Sequence, residues 1–350
     1  MARPLFKVGT VHVLVDGQFG STGKGVLAAW LAEQADNGDV DFHWVVSNAG
    51  PNSGHTFYDN HGEKHVLKQL PTFAVAKYVN EHTNTPNVYL SAGAIIDPEI
   101  LFAEARRYHG LRIYVHRNAA VITQEDKDSE HSGTVAAVAG TRSGTGAALA
   151  RKVLRDPSVV FGQYAKGRDL PDNVYPVDGV VDWSQLNVFV EVSQGFSLGL
   201  NSAFYPKVTS RECTVMQALA DARIPAQLLG RVYMSCRTFP IRVGNVDGYS
   251  SGEVYPDQTE ISWEDLGQTP ELTTVTKRVR RVFTFSNMQT IEAALANYPD
   301  FVFLNFMNYL TEEGQRDILE QIDLINKQLP KQFDLILSHG PTSDDVEQVG

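Results

Sequence analysis

Asp16-Gly-Gln-Phe-Gly20-Ser-Thr-Gly-Lys-Gly25 sets glycines among hydroxyls and one amine, residue types suited to holding phosphate. Glycine lets backbone N–H groups turn inward, the start of a following helix favours an anion, and the Lys24 ammonium adds a full positive charge. A nucleoside triphosphate fits these parts. The loop is not a Walker A motif, which requires Gly six positions before the lysine and Ser or Thr directly after it. Gln18 and Gly25 occupy those two places. Taken alone, the segment also reads as a structural glycine-rich β-to-α turn. A second cluster, Asn48-Ala-Gly-Pro-Asn52-Ser-Gly54-His55-Thr56, puts small turn residues beside an imidazole. Imidazole is the side chain suited to proton transfer near neutral pH. Of the ten histidines, His55 is the candidate, because Gly54 and Thr56 flank it in a loop after an apolar run. Residue chemistry alone leaves a structural histidine equally open.

These loops need elements to hold them. Val11 to Val15 is a β-branched run leading into the first loop, and Val26 to Glu33 after it reads as helix. Further runs of strand length are 44–46, 87–90, 112–115, 188–191, 301–304 and 334–337. Helical stretches, Pro98 to Ala105 and Glu312 to Lys327 among them, lie between several of these runs. This alternation predicts an α/β fold with a largely parallel central sheet and flanking helices, organised as one domain over residues 1–350. Ligands of such sheets bind at the carboxyl ends of the strands, where both loops fall.

Composition narrows the partners. With 43% apolar and 20% charged residues the chain is neither disordered nor collagen-like. Thirty Lys and Arg against 41 Asp and Glu give a formal charge of −11, which repels a nucleic-acid polymer. No stretch approaches the ~20 apolar residues of a membrane helix, and the residues after Met1 contain no signal-peptide core. The cytoplasm is the expected compartment, with no membrane partner. Cys213 and Cys236 stand in no metal-ligand spacing and read as reduced core thiols. Ser343 to Glu347 reads as a solvated acidic tail.

Eight motifs in order resemble those of the adenylosuccinate synthetase family, whose fold is related to the P-loop NTPases. Gly20 to Gly25 resembles the family's GDEGKG, Asn52 to Thr56 its NAGHT, and Gly62 to Leu67 its GEKTVLH. Gly140-Thr141-Arg-Ser-Gly-Thr-Gly146 is similar to the loop for the nucleotide 5′-phosphate. Glu191-Val-Ser-Gln194-Gly195 resembles EGAQG, and Tyr205 to Ser210, which includes Thr209, resembles YPYVTSS. Thr273 to Arg281 is similar to the arginine-rich aspartate loop, and Ser338-His-Gly340-Pro341 to the STGP loop near the nucleotide base. The family phosphorylates the 6-oxygen of a purine nucleotide and displaces that phosphate with the amine of L-aspartate.

Two departures from the family pattern matter. Ser21 stands where the family has an Asp that serves as base for purine N1 and as a magnesium ligand. A hydroxyl is a poor base but shorter than a carboxylate, and it leaves room for the 2-amino group of guanine. The resemblance is to the phage branch, whose members use dGMP to make 2-amino-2′-deoxyadenylosuccinate, a precursor of 2-aminoadenine DNA. The other departure, Asn305-Phe-Met-Asn308, replaces a TKLD motif that reads the guanine of GTP. An amide offers both acceptor and donors, matching N1 and the N6 amine of adenine, so ATP or dATP is the expected donor. A turn-capping role for Asn308 stays open.

The resemblance implies a division of labour. Lys24 and His55 act on the transferring phosphoryl group, with Ser21 beside them. Ser21, Thr22, Gly23, Lys24, Gly25, Gly54, His55, Thr56, Arg280, Asn305, Asn308, Ser338 and Gly340 bind ATP. Ser21, Asn52, Thr141, Gln194 and Thr209 hold dGMP, joined by Arg155 reaching across a homodimer interface. Thr274, Val275 and Thr276, with the guanidinium forks of Arg278 and Arg280, take L-aspartate. Mg²⁺, leaning on phosphate oxygens, takes the Gly54 carbonyl and Ser21. The sequence names no replacement for the missing base. Alternatives are an ordinary synthetase using IMP and GTP, another ligase on the same fold, and a non-catalytic nucleotide-binding protein.

Overall fold

The computed structural model describes residues 3–82, 84–131, 140–179, 182–245, 250–273 and 277–349. Among these residues ten strands form the main sheet: β1 (Val11–Asp16), β2 (Trp44–Ser47), β3 (Asn87–Leu90), β4 (Ile113–His116), β5 (Val174–Val177), β6 (Val188–Glu191), β7 (Leu229–Arg237), β8 (Phe301–Asn305), β9 (Asp334–Ser338) and β10 (Val346–Gln348). Their order is β10-β9-β8-β7-β1-β6-β2-β3-β4-β5. Every pairing is parallel except that of β9 with β10. β1 lies between β6 and β7, so the chain leaves it in one direction for β2 and later returns to build the other half. That reversal opens a crevice at the carboxyl ends of the central strands, which is where such sheets bind ligands.

All six residues of β1 are buried, which explains why it is apolar from Val11 to Val15 except at His12. Leu14 faces a core shared with α1 (Lys24–Asn37), α2 (Thr72–Val79) and α3 (Pro98–Arg107). Val11, Val13 and Val15 face the opposite layer, packed by Ala218 and Leu219, Ala293 and Ala294, and Ile318 and Ile322 of three later helices. α1 is longer at both ends than its sequence predicts. Gly23, at φ 91°, caps it in the left-handed region and lets it begin at Lys24. β7 was absent from the predicted strands, because Arg231, Ser235 and Arg237 interrupt its apolar residues. Both cysteines are buried and free, as expected, and burial pushes the Cys213 thiol up to about 12.

His12 of β1 makes the stability of the sheet pH-dependent. Its ring is fully buried among Phe6, Phe42 and Tyr233; Nε2 donates to the Lys7 carbonyl at 3.1 Å and Nδ1 accepts from the Arg231 N–H at 3.3 Å. Desolvation lowers its pKa to about 4. The folded state therefore excludes a proton that the unfolded chain binds below about 6.5, so the stabilising contribution is full above that pH. It is lost as pH falls from about 6.5 to about 4. Denaturant midpoints should drop through this window, and His12→Gln should flatten the dependence.

Candidate functional site

A cleft of about 670 Å³ opens at the carboxyl ends of the central strands. Its wall includes Ser21, Thr22, Gly23, Lys24, Gly25, Asn52, Gly54, His55, Thr56, Thr141, Gln194, Arg278, Arg280, Asn305, Asn308 and Gly340. Residues scattered over more than 300 positions thus converge on one surface. Ser338, Arg155 and Thr209 are not part of this wall. Ser338 is buried behind it, with Oγ donating to the Gly340 carbonyl at 2.9 Å. Thr209 donates its N–H to the carbonyl of Leu198, which does line the cleft. Arg155 is exposed, just beyond the helix Thr145–Val153. Thr274, Val275 and Thr276 lie outside the described residues.

Asp16, the last residue of β1, organises the phosphate loop. Its carboxylate is buried and accepts from the Gln18 N–H at 2.9 Å, the Gly20 N–H at 3.2 Å, the Thr22 hydroxyl at 2.6 Å and the Lys24 ammonium at 2.9 Å. A negative charge at the foot of the loop fixes its turn and holds the Lys24 ammonium in place. Lys24 also donates to the Gln194 carbonyl at 3.0 Å, which leaves one of its three N–H donors for a ligand. Gly25 explains why no Ser or Thr follows the lysine. A Cβ there would collide with the Thr56 backbone, so glycine lets the His55 loop close onto the phosphate loop.

His55 opens a short hairpin, His55–Tyr58 with Lys64–Leu67, whose first strand packs on α1. Nδ1 stands 3.6 Å from Glu191 Oε2, close enough for charge attraction though too long for a hydrogen bond. Glu191 is itself held by the first N–H groups of α2, accepting from Thr72 at 2.9 Å and Phe73 at 2.6 Å. An anion at that position is favoured by the helix dipole. The arrangement turns Nδ1 toward the carboxylate and leaves Nε2 with no protein partner among the described residues. Gln194, at φ 71°, likewise has an amide Nε2 buried without a partner among the described residues.

The opposite wall is basic. Arg278 and Arg280 form no ion pair with any described carboxylate, and burial lowers the Arg280 pKa. Among the described residues Glu271 is the one carboxylate in the wall, and Arg237 grips it with Nη2 to Oε1 at 2.6 Å and Nη1 to Oε2 at 3.2 Å. Asn308 stands in the wall beside Phe306 and Tyr309. The Asn305 amide turns under the phosphate loop, with Nδ2 3.5 Å from the Thr22 carbonyl and Oδ1 accepting the Phe306 N–H at 2.7 Å. Asn305 thus buttresses the loop from below.

The sequence profile of adenylosuccinate synthetase matches residues 13–174 and 170–316. The chain belongs to the adenylosuccinate synthetase family. It is an enzyme of the carbon–nitrogen ligase class that this family comprises. Within it, N6-succino-2-amino-2′-deoxyadenylate synthase of Vibrio phage phiVC8 is 38% identical over 353 residues, 96% of this chain and 97% of that one. The adenylosuccinate synthetase of Thermococcus sibiricus is 31% identical over 280 residues, 78% of this chain and 77% of the relative. A solved structure, the succinoaminodeoxyadenylate synthetase of cyanophage S-2L bound to dGMP and dATP as an energy donor, matches with TM-score 0.86 at 35% identity. That match covers 98% of this chain and 96% of the other. The expected fold and family are therefore correct. Among the described residues, no helix is long and apolar enough to cross a membrane.

Family motifs did not single out Asp16, Arg237 or Glu271. The one signal for Asp16 was a charged residue ending an otherwise apolar strand. For the Arg237–Glu271 pair, 34 positions apart, there was none.

Proposed function

We propose that the protein joins L-aspartate to C6 of dGMP, using ATP or dATP as phosphoryl donor and yielding 2-amino-2′-deoxyadenylosuccinate, nucleoside diphosphate and phosphate. The observation that carries this reading is the charge inventory of the cleft. Among the described residues Lys24, Lys64, Arg278 and Arg280 share its wall with one carboxylate, Glu271, which Arg237 neutralises, while position 21 supplies only a hydroxyl. Such a surface suits two phosphorylated nucleotides and a dicarboxylate, and the short Ser21 side chain leaves space for a 2-amino group. The names of the phiVC8 and S-2L relatives point to the same product.

Oxygen on C6 leaves poorly. Transfer of the γ-phosphoryl onto O6, with loss of the N1 proton, converts it into phosphate, which the aspartate amine then displaces from C6. This chemistry needs mainly alignment and charge neutralisation. The remaining Lys24 donor and the backbone of 22–25 hold phosphoryl oxygens, and His55 Nε2 donates to the transferring group. The unpartnered Gln194 amide suits the purine O6, with Asn52 and Thr141 along the same nucleotide. Arg278 and Arg280 clamp the aspartate carboxylates. Asn308 reads the adenine edge, and Ser338 holds the Gly340 loop against it. The Ser21 hydroxyl and Gly54 carbonyl are hard oxygen donors that fit Mg²⁺, an ion that relies on substrate phosphates and water for its other ligands. When bound, Mg²⁺ neutralises phosphate charge. Exposed Val153 and Leu154, at 70% and 80%, flank Arg155 and support its reaching a second protomer in a homodimer.

Phosphate release with L-aspartate and Mg²⁺, offering dGMP, GMP or IMP with ATP or GTP, tests the reading. Turnover should require dGMP and prefer ATP, and Ser21→Asp should cut kcat/KM for dGMP by about tenfold or more, the penalty of a contact-level mismatch. Turnover with IMP and GTP alone would return the protein to ordinary adenylosuccinate synthesis.

A further inference from the structure

Arg237 ends β7 with its side chain fully buried, and it does not line the cleft. Each of its guanidinium contacts nevertheless ends on a loop that does. Nη1 donates to the Ser21 carbonyl of the phosphate loop at 3.1 Å. Both terminal nitrogens grip Glu271, whose carbonyl accepts the Arg280 N–H at 2.8 Å and whose Oε1 lies 3.5 Å from the Tyr309 hydroxyl. The guanidinium carbon sits 3.9 Å from the centre of the Phe306 ring, between Asn305 and Asn308. Arg237 is also paired across the sheet with Asn305, and its backbone exchanges both hydrogen bonds with the Gln18 side chain.

We infer that Arg237 is a positioning residue that ties the carboxylate-binding loop and the base-reading loop to the phosphate loop, so that the amino-acid and triphosphate sites are coupled. The inference rests on the reaction proposed above for this cleft. A planar, permanently charged fork can serve a carboxylate bidentately, a carbonyl and an aromatic face at once, whereas a lysine ammonium offers no matching plane. Glu271 transmits the tie, since its side chain holds Arg237 and its backbone holds Arg280. Phe306 transmits it to the base loop.

Steady-state kinetics of Arg237→Lys, Glu271→Gln, Phe306→Leu and the Arg237→Lys/Glu271→Gln double variant test the inference, with circular dichroism confirming folding. Arg237→Lys should raise KM for aspartate and for ATP together, each at least tenfold, with a smaller change in kcat. Glu271→Gln should raise mainly the aspartate KM and Phe306→Leu mainly the ATP KM. The double variant should be no worse than Arg237→Lys, because both changes cut one tie. Unchanged Michaelis constants in the folded single variants, or effects that multiply in the double, would overturn the inference. Should Arg237→Lys not fold, Glu271→Gln and Phe306→Leu decide it by the same criteria. All assays are run with dGMP and with IMP. Failure of the substrate assignment appears as a changed purine preference in the unaltered protein, whereas failure of the Arg237 inference appears with whichever purine supports turnover.

Discussion

Lys24→Met should reduce kcat/KM by about three orders of magnitude, the scale on which a preorganised charge or donor at a developing anion is lost. Position and partners set this size. The ammonium is nearly inaccessible, held by Asp16 at 2.9 Å and the Gln194 carbonyl at 3.0 Å, so nothing else in the loop can bring a full positive charge to the same point. The same change strands a buried carboxylate, and breaking a buried ion pair on one side costs about 3–5 kcal/mol. Part of that is offset here, since Asp16 keeps the Gln18, Gly20 and Thr22 donors. Stability and catalysis are therefore entangled in the single variant. Asp16→Asn with Lys24→Met removes both charges and should recover much of the denaturation midpoint while phosphate release stays near the background of Lys24→Met. Activity of Lys24→Met within tenfold of the starting protein would contradict the assignment of Lys24 to the phosphoryl oxygens.

How the cleft was foreshadowed follows from what each contact depends on. Loops 16–25 and 48–56 were legible because local chemistry and the preceding apolar run sit next to one another in the chain. The parallel sheet then carries them to one edge, as its topology requires. Contacts across the sheet have no such local trace. Glu191 was visible as part of a motif, but its place behind His55 depends on α2 presenting the Thr72 and Phe73 N–H groups. Asn305 was expected against the nucleotide and does line the cleft, but its amide also reaches the Thr22 carbonyl and the Phe306 N–H, contacts that no local pattern announces. β7 was missed for the same reason that it matters. Ser235 and Arg237 break the apolar pattern because both reach up to the phosphate loop, at the Thr22 and Ser21 carbonyls. Function overrode periodicity in that strand. Arg155 stands apart, since its predicted partner is another protomer and a single chain gives it nothing to touch in the cleft.

His55→Asn should lower turnover by about 10²- to 10⁴-fold, the range for removing a positioned acid or base. An asparagine amide can replace the ring as a donor of a hydrogen bond but cannot transfer a proton, so the size of the loss distinguishes proton donation from simple contact. Folding should be little affected, because the ring is not a core residue: it lines the cleft and its Nε2 has no protein partner among the described residues. Glu191→Gln is the companion change. It keeps the shape of the side chain and still offers an acceptor to the α2 N–H groups, while removing the negative charge 3.6 Å from Nδ1. If Glu191 acts by orienting His55, its loss should be smaller than that of His55→Asn, and adding it to His55→Asn should change turnover little further, since a positioning group has nothing left to position. Multiplying losses in the double variant would show instead that Glu191 serves the cleft independently of the histidine. Turnover within a few-fold in His55→Asn would remove the imidazole from the reaction and leave phosphoryl transfer to Lys24 and the loop backbone alone.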